Sequence, residues 1–312
     1  MNRPNSIGLF TMLALALVVP SCVPEAKTGQ EAGLTFNSDL HLDVLSYDVR
    51  EGFRWIGATP AVKPVAIPKS GWVVVDIMPL SGVSLADVIE TVKNQPITGI
   101  ALAGASDADL AQLRECRKLK MLCLGFAEIT DEGLVYLKDL RGLQVLYLGD
   151  TGISDAGLVH IKGLTGLEVI DLHETDRITD AGLSHLKGLK RLRKLSLERT
   201  SITDVGLASI QELKALEVLD LEHTKVSDPG LVYLKDLKGL RELNLGETRI
   251  TDAGLAPLKE LKNLTKLGFG NTEIGDAGLA GLKELKGLRE LTLDSTHITD
   301  AGLAHVRELK GL

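Results

Sequence analysis

The stretch LEVLDLEHTKVSDPGLVYLKDLKG, from Leu216 to Gly239, is one copy of a pattern that recurs along most of the chain. Equivalent leucines are 24 residues apart, except for one interval of 25 residues between Leu167 and Leu192. A period of roughly 20 to 29 residues built on L-x-x-L-x-L predicts a solenoid of stacked units. The equivalent leucines are Leu119, Leu143, Leu167, Leu192, Leu216, Leu240, Leu264, Leu288 and Leu312.

The first half of each unit is predicted to be a strand. Leu219 and Leu221 are two residues apart and therefore point to the same face of that strand, whereas Asp220 points to the opposite face. The leucines of one unit cannot be buried by that unit alone. Stacking the units buries the leucines of all of them in one continuous core, with the strands parallel on the inside of the curve.

The second half of each unit is predicted to be a turn and a short helix. Ser227-Asp228 provides side-chain oxygens that can cap the free N–H groups of a helix start. Gly239 is predicted to let the chain leave the helix and turn back. The apolar stripe of this helix consists of Leu231, Leu234 and Leu237.

This pattern resembles the leucine-rich-repeat family over residues 119–312. The resemblance implies an α/β leucine-rich-repeat solenoid, a horseshoe with parallel strands on the concave face and short helices on the convex face. The recurring phrase I-T-D-A-G-L resembles the cysteine-containing subclass, in which Cys or Asn follows the strand. Threonine takes that place here, and we expect it to hydrogen-bond the turn backbone of neighbouring units. These residues are Thr151, Thr175, Thr200, Thr224, Thr248, Thr272 and Thr296.

The chain is predicted to have four parts. Residues 1–21 are a signal peptide, because Arg3 precedes an apolar run that is too short to span a membrane. Ser21-Cys22 resembles the bacterial lipoprotein cleavage box, which implies a lipid on Cys22 and a place at the cell envelope, or secretion if Cys22 carries no lipid. Residues 22–70 are a tether and Pro-rich linker, with room for a strand or two between Leu34 and Ile56. Residues 71–118 are an N-terminal cap with a degenerate repeat, and residues 119–312 are eight leucine-rich repeats.

Composition and motifs indicate a protein that is not an enzyme. The net charge of −7 argues against nucleic acid as the partner, since phosphate binding needs a basic face. The sequence lacks the G-x-S-x-G, phosphate-loop, H-E-x-x-H and S-x-x-K motifs. We therefore predict no cofactor, no metal and no catalytic residue. Cys116 and Cys123 are predicted to point in different directions and to form no disulfide, with Cys123 on the exposed strand face.

The concave face is the predicted binding surface, and acids outnumber lysine and arginine on it. Parallel strands lie about 4.8 Å apart, so Asp171, Glu198 and Asp220 are expected to cluster near its middle. The predicted partner is a protein with a basic surface. The candidate residues are Tyr147, Asp171, His173, Glu174, Glu198, Asp220, Glu222, His223, Glu242 and Asn244.

Three alternatives remain open at this stage. The polar face can simply keep the sheet soluble. His173, Glu198 and Glu222 can form a metal site, as in a metal-assisted hydrolase. The chain can also be a structural envelope protein that self-associates through its C-terminal edge, since no polar capping segment follows the last repeat at Leu312.

Overall fold

The computed structural model describes residues 35–36, 42–48, 52–59, 65–66, 72–76, 85–94 and 97–312. Within these residues, one 12-stranded sheet carries the repeats, and a two-stranded sheet lies outside it. The strands are β1 (Thr35–Phe36), β2 (Leu42–Asp48), β3 (Gly52–Thr59), β4 (Val65–Ala66), β5 (Trp72–Asp76), β6 (Gly99–Ala101), β7 (Met121–Cys123), β8 (Val145–Tyr147), β9 (Val169–Asp171), β10 (Lys194–Ser196), β11 (Val218–Asp220), β12 (Glu242–Asn244), β13 (Lys266–Gly268) and β14 (Glu290–Thr292).

One short helical segment follows most strands. The α-helices are α1 (Leu85–Asn94), α2 (Asp107–Gln112), α3 (Asp131–Leu134), α4 (Asp155–Leu158), α5 (Asp180–Leu183), α6 (Asp204–Ile210), α7 (Asp276–Gly281) and α8 (Asp300–Val306). The 3₁₀ segments are Leu113–Glu115, Val135–Asp139, Ser184–Leu186, Asp228–Tyr233, Asp252–Glu260 and Leu282–Glu284. In the part of the chain that the structure describes, no helix combines the length and the apolar character needed to cross a membrane.

Strands β5 to β14 are parallel and follow one another in chain order, as the repeat pattern predicts. Each repeat therefore pairs with the next one in the same register, so that Leu195 lies beside Leu219 and Leu219 beside Leu243. The α/β solenoid predicted from the sequence is confirmed.

The start of the sheet is antiparallel. Strand β2 pairs with β3 on one side and with β5 on the other. Residues 42–48 and 52–59 of the predicted tether and linker are thus strands of the main sheet, as the alternation between Leu34 and Ile56 suggested. The predicted signal peptide, Cys22 and most of the linker lie outside the described residues.

The leucines of strands and helices form one buried core. Leu219, Leu221 and the helix stripe of Leu231, Leu234 and Leu237 are all buried. At the N-terminal end, Val88, Ile89 and Val92 of α1 pack into the same core, and Cys116 also lies in it. Burying a leucine side chain contributes about 1.5–3 kcal/mol, so the stack is stabilised mainly by these repeated contacts.

A ladder of aspartates joins the helix starts of successive units. Ser154 precedes α4, and its N–H and hydroxyl donate to the two carboxylate oxygens of Asp131 in the preceding unit, at 2.7 and 2.6 Å. The capping residue is therefore fixed by its neighbour as well as by its own helix. Equivalent pairs are Asp107–Thr130, Asp155–Thr179, Asp180–Thr203, Asp204–Ser227, Asp228–Thr251 and Asp276–Thr299.

The threonines that follow the strands have a different role from the one predicted. The hydroxyl of Thr224 donates to the carbonyl of Leu221 at 2.7 Å, so it closes the turn within its own unit. The same bond recurs at Thr151, Thr200, Thr248, Thr272 and Thr296. The expectation that this hydroxyl bonds the neighbouring unit is wrong, because the hydroxyl bonds the carbonyl three residues earlier in its own unit.

Gly239 is also needed for a reason other than the predicted one. Its φ is not positive, and a Cβ there would lie 3.2 Å from the carbonyl oxygen of Leu216, the first residue of the same unit. A side chain there would press against this carbonyl, so glycine suits the close packing at the end of the unit. The left-handed turn falls instead on the residue before each threonine, such as His223 with φ 54°.

Candidate binding face

The concave face is the side of the sheet that points away from the leucine core. In each unit it is formed by the first and third strand residues and by the two residues after the next leucine, which are Val218, Asp220, Glu222 and His223 in the central unit. A groove of about 620 Å³ lies over β11 to β13 on this face. Its walls carry most of the residues that the sequence analysis selected for binding.

The charged residues of the groove are only partly neutralised. Arg199 pairs with Glu174 at 2.7 Å and with Glu198 at 3.1 Å. Lys266 pairs with Glu290 at 3.1 Å on the neighbouring strand. Asp220, Glu222 and Glu242 have no lysine or arginine partner among the described residues. The centre of the groove therefore keeps an uncompensated negative charge.

Asn244 organises this acidic centre. Its amide nitrogen lies 2.7 Å from Glu222 Oε2 and 3.5 Å from Asp220 Oδ2, so one side chain contacts both acids. Asn244 Oδ1 accepts from the backbone N–H of Gly246 at 3.2 Å. On the next strand, a Cβ at Gly268 would meet Asn244 Oδ1 at 2.6 Å. Glycine at that position therefore leaves the space that Asn244 occupies.

Burial and mutual repulsion shift the ionisation of two of these acids. Burial raises the pKa of Asp220 to about 6, and the charges of Glu198 and Glu222 act in the same direction, against a hydrogen bond from the Glu222 backbone. Burial also raises the pKa of Glu198, again with help from Glu222. The groove thus binds protons more readily than isolated carboxyl groups do.

We expect Asp220→Asn to stabilise the protein at pH 8 by about 1–3 kcal/mol and to leave its stability at pH 3 nearly unchanged. The folded pKa of about 6 lies above the ordinary value of 3.8. The contribution of Asp220 is therefore fully present below pH 3.8 and is lost as the pH rises through about 6. A pKa difference of about two corresponds to at most about 3 kcal/mol.

Urea unfolding between pH 3 and pH 8 checks this expectation. Glu212→Gln, on the exposed convex side, provides a carboxyl-to-amide control and should follow the wild-type curve. If Asp220→Asn shows the wild-type pH dependence, the carboxyl of Asp220 is not the titrating group.

Asp171 and His173 form the other ionisable pair of this face. Asp171 Oδ1 lies 2.9 Å from His173 Nδ1 and accepts the backbone N–H of His173 at 3.0 Å. Burial lowers the pKa of His173, but the hydrogen bond and charge of Asp171, with Glu198 and Glu174, outweigh burial and raise the pKa overall. The imidazole ring also lies across the backbone of Gly149, where a Cβ would clash with it.

Two of the ten predicted binding residues prove to be buried. Tyr147 and Asp171 lie on the concave face, but only 5% and 1% of their surfaces are exposed, so neither forms open contact surface in this structure and their binding role stays a prediction. Cys123 is also buried, which corrects its predicted exposure. The other eight residues are exposed or half-buried, and their binding role stays a prediction.

The concave face changes character along the sheet. Over β7 and β8 it is apolar and buried, with Met121, Cys123, Val145 and Tyr147 at the strand positions. Phe126, which the sequence analysis missed, stands beside this region with 44% of its surface exposed. Its signal was an aromatic residue at a repeat position that is polar or charged in the other units, such as Asp150. The groove thus has an acidic part and an aromatic edge.

The metal alternative gains no geometric support. Among the described residues, no group of three histidine, cysteine, aspartate or glutamate side chains is placed to hold a metal ion. His173 points toward Asp171, whereas Glu222 is held by Asn244 one strand beyond Glu198. Cys116 and Cys123 are both buried and are not joined by a disulfide.

Comparison with known families decides which class of repeat this is. Residues 152–308, half of the chain, match the leucine-rich repeat region family, and residues 115–138 match a further leucine-rich repeat family. The chain belongs to the leucine-rich-repeat family. Repeats of this family form scaffolds for protein binding. No curated protein sequence matches the chain.

Solved structures of bacterial internalins are similar to the chain. Internalin C2 from Listeria monocytogenes is 27% identical, with 73% of this chain and 89% of that chain covered and a TM-score of 0.55. An internalin from the same species, inlF, is 21% identical over 77% of this chain and 84% of that chain, with a TM-score of 0.43.

Proposed function

We propose that the chain is a non-enzymatic protein-binding scaffold that recognises a partner with a basic surface on its concave face. The observation that supports this proposal is the uncompensated charge of Asp220, Glu222 and Glu242 inside the 620 Å³ groove. The convex face offers no comparable field, because its lysines and acids alternate, as in Lys238–Glu260 and Lys262–Glu284.

The geometry favours capture of a cationic partner by two physical effects. Charges of one sign in a cleft reinforce one another's potential and increase the encounter rate with an oppositely charged partner. The repeated hydrogen bonds and the shared core hold the strands in register, so the face loses little conformational entropy on binding. The net charge of −7 makes nucleic acid an unsuitable partner.

A labelled decapeptide of alternating arginine and serine provides a cationic probe for this proposal. We expect saturable binding by fluorescence anisotropy that weakens as salt is raised, because charges are screened within about 8 Å at physiological ionic strength. An alternating glutamate–serine peptide should not bind. Equal binding of the two peptides, or binding that is independent of salt, would contradict an electrostatic site.

We further propose that the scaffold is held at a bacterial envelope membrane by a lipid on Cys22, behind a cleaved signal peptide of residues 1–21. The support is the short apolar run Leu9–Val19 that ends just before Ser21-Cys22. Such an anchor would present the concave face outside the cytoplasm. Secretion without a lipid is the alternative location.

Labelled fatty acid tests the anchor in a bacterial host. We expect the wild-type chain to incorporate label and the Cys22→Ser variant to incorporate none, because the thiol is the attachment point. Cys116→Ser is the matched control and should keep the label, since Cys116 is a buried core residue. Incorporation of label by Cys22→Ser at the wild-type level would refute lipidation at this residue.

A further inference from the structure

A small pocket lies next to the acidic groove and has a buried carboxylate in its wall. Its lining includes Ala103, Phe126, Tyr147, Asp171 and His173, and its volume is about 20 Å³. A water molecule needs roughly 10–15 Å³, so the pocket has room for one water-sized group. Phe126 and His173 line both the pocket and the groove, and they form the partition between the two.

Asp171 has a buried carboxylate oxygen whose role in this pocket needs an explanation. Only 1% of its surface is exposed, and its two carboxylate oxygens differ. Oδ1 is engaged by the backbone and ring of His173, whereas Oδ2 is shielded from solvent and has no hydrogen-bond partner among the described residues. Leaving a carboxylate oxygen buried and unpaired costs about 1–3 kcal/mol or more, so natural sequences rarely retain one without a use.

The surroundings select the kind of group that can satisfy Oδ2. A negative oxygen needs a donor, and a positively charged donor makes the stronger, charge-assisted hydrogen bond with it. The volume admits a compact ammonium group better than a planar guanidinium. The ring of Phe126, which meets His173 edge to face at a centroid distance of 6.4 Å, offers an aromatic wall to a cation.

We propose that this pocket takes the primary ammonium group of one lysine side chain from the partner, with the ammonium paired to Asp171 Oδ2 and the methylene stem resting against Phe126. This inference rests on the proposed function, since it specifies how one residue of a basic partner is recognised. Phe126 is 44% exposed and lines both cavities, so entry of the ammonium requires a change of the Phe126 rotamer that joins the pocket to the groove. The acidic groove then attracts the partner, and the pocket selects lysine.

Butylammonium is the probe for the pocket, and butylguanidinium and 1-butanol are its controls. Titration of the isotopically labelled chain is followed by the NMR signals of the Asp171 and His173 amides. We expect a saturable response to butylammonium, a response at least about tenfold weaker to butylguanidinium, and none to 1-butanol, because only the ammonium fits and pairs. An equal response to 1-butanol would show a merely apolar pocket and would overturn the proposal, as would no response to butylammonium.

Three variants test where butylammonium binds. Asp171→Asn keeps the side-chain shape and removes the charge, so butylammonium binding should fall at least about tenfold. Glu260→Gln, an exposed residue of the convex face, should change it by no more than about twofold. If Asp171→Asn fails to fold, Ala103→Leu fills the pocket and leaves Asp171 intact, and it should abolish the response. Binding by the folded Asp171→Asn variant, or by Ala103→Leu, at the wild-type level would overturn the proposal.

Peptide binding by the wild type and by Asp171→Asn distinguishes failure of this inference from failure of the proposed function. An alternating lysine–serine decapeptide should bind more tightly than its arginine counterpart, and Asp171→Asn should remove that preference without removing binding. If both peptides bind equally and Asp171→Asn changes nothing, the lysine pocket is refuted and the acidic scaffold stands. If butylammonium binds at Asp171 but neither peptide binds, the pocket is supported and the proposed scaffold fails.

Discussion

Replacing Gly157 by alanine is expected to lower the free energy of unfolding by about 2–4 kcal/mol, although both residues are small and the site is part of a helix. Alanine normally stabilises a helix relative to glycine by about 0.5–1 kcal/mol, so the expected sign is opposite to that of helix propensity. The reason is the aspartate ladder between successive repeats.

The clash at Gly157 cannot be relieved cheaply. A Cβ there would lie 2.5 Å from Asp131 Oδ1 and 2.9 Å from Leu134 Cδ1. Asp131 is not a free side chain, because its oxygens accept the N–H and hydroxyl of Ser154 at 2.7 and 2.6 Å. Moving Asp131 away therefore breaks two hydrogen bonds at a part-buried helix start, which adds to the strain of overpacking.

Gly163→Ala is the matched control in the same repeat. A Cβ at Gly163 meets nothing within 4 Å, and its φ is not positive, so its stability should change by no more than about 0.5 kcal/mol. Urea denaturation of both variants, with the slope of the transition checked for constancy, gives the comparison. A loss at Gly163 equal to that at Gly157 would mean that general backbone stiffening, rather than the clash with Asp131, is responsible.

A double-mutant cycle identifies the partner of the clash. Asp131→Ala alone should destabilise the chain by removing both bonds to Ser154. In that background Gly157→Ala should cost much less than in the wild type, because the carboxylate is gone. Additive effects of the two substitutions would contradict a direct contact between residues 131 and 157.

The period of the leucines was sufficient to predict the architecture. Leu219 and Leu243 had to face one core because they alternate with polar residues, and the register Leu219↔Leu243 follows from the equal spacing of the units. Helix α1 of the N-terminal cap could likewise be predicted, because Val88, Ile89 and Val92 lie at helical spacing. These features depend on local periodicity, which a single sequence displays directly.

Contacts between units could not be predicted in the same way. The glycine of D-A-G-L repeats every unit, and its reason, the carboxylate of the preceding unit, appears only when two repeats are stacked. Gly239 was interpreted as a helix exit, because its close contact with the carbonyl of Leu216 appears only in the folded chain. The sequence of one repeat shows which residues form its strand and helix. The distance between stacked repeats determines which side chains fit between them.

Burial of side chains on the concave face was the other feature that the sequence could not predict. Alternation places Tyr147, Asp171 and Asp220 on the same side of the sheet, yet the first two are buried and Asp220 lines the groove. The difference arises from the neighbours: His173 lies across Gly149 and against Asp171, while Asn244 holds Glu222 beside the groove. Alternation identifies a face but not the side chains that cover it.

Reversing two charges of the groove, Glu198→Lys with Glu222→Lys, is expected to weaken binding of the arginine–serine probe by about 10- to 100-fold at physiological salt. Glu222 belongs to the uncompensated centre, and Glu198 is next to it, as its raised pKa shows, with burial as the main cause and Glu222 as the second. Two lysines there convert an attractive potential into a repulsive one over the distance of roughly one Debye length.

The convex pair Glu260→Lys with Glu284→Lys carries the same change in net charge and is the control. Both glutamates are exposed and already face Lys238 and Lys262, so the probe gains little from them in the wild type. We expect this pair to weaken binding by no more than about threefold. Thermal unfolding of both double variants verifies that each is folded before anisotropy is measured. If the convex pair weakens binding as much as the concave pair, only the net charge of the chain matters, and the acidic groove is not the binding site.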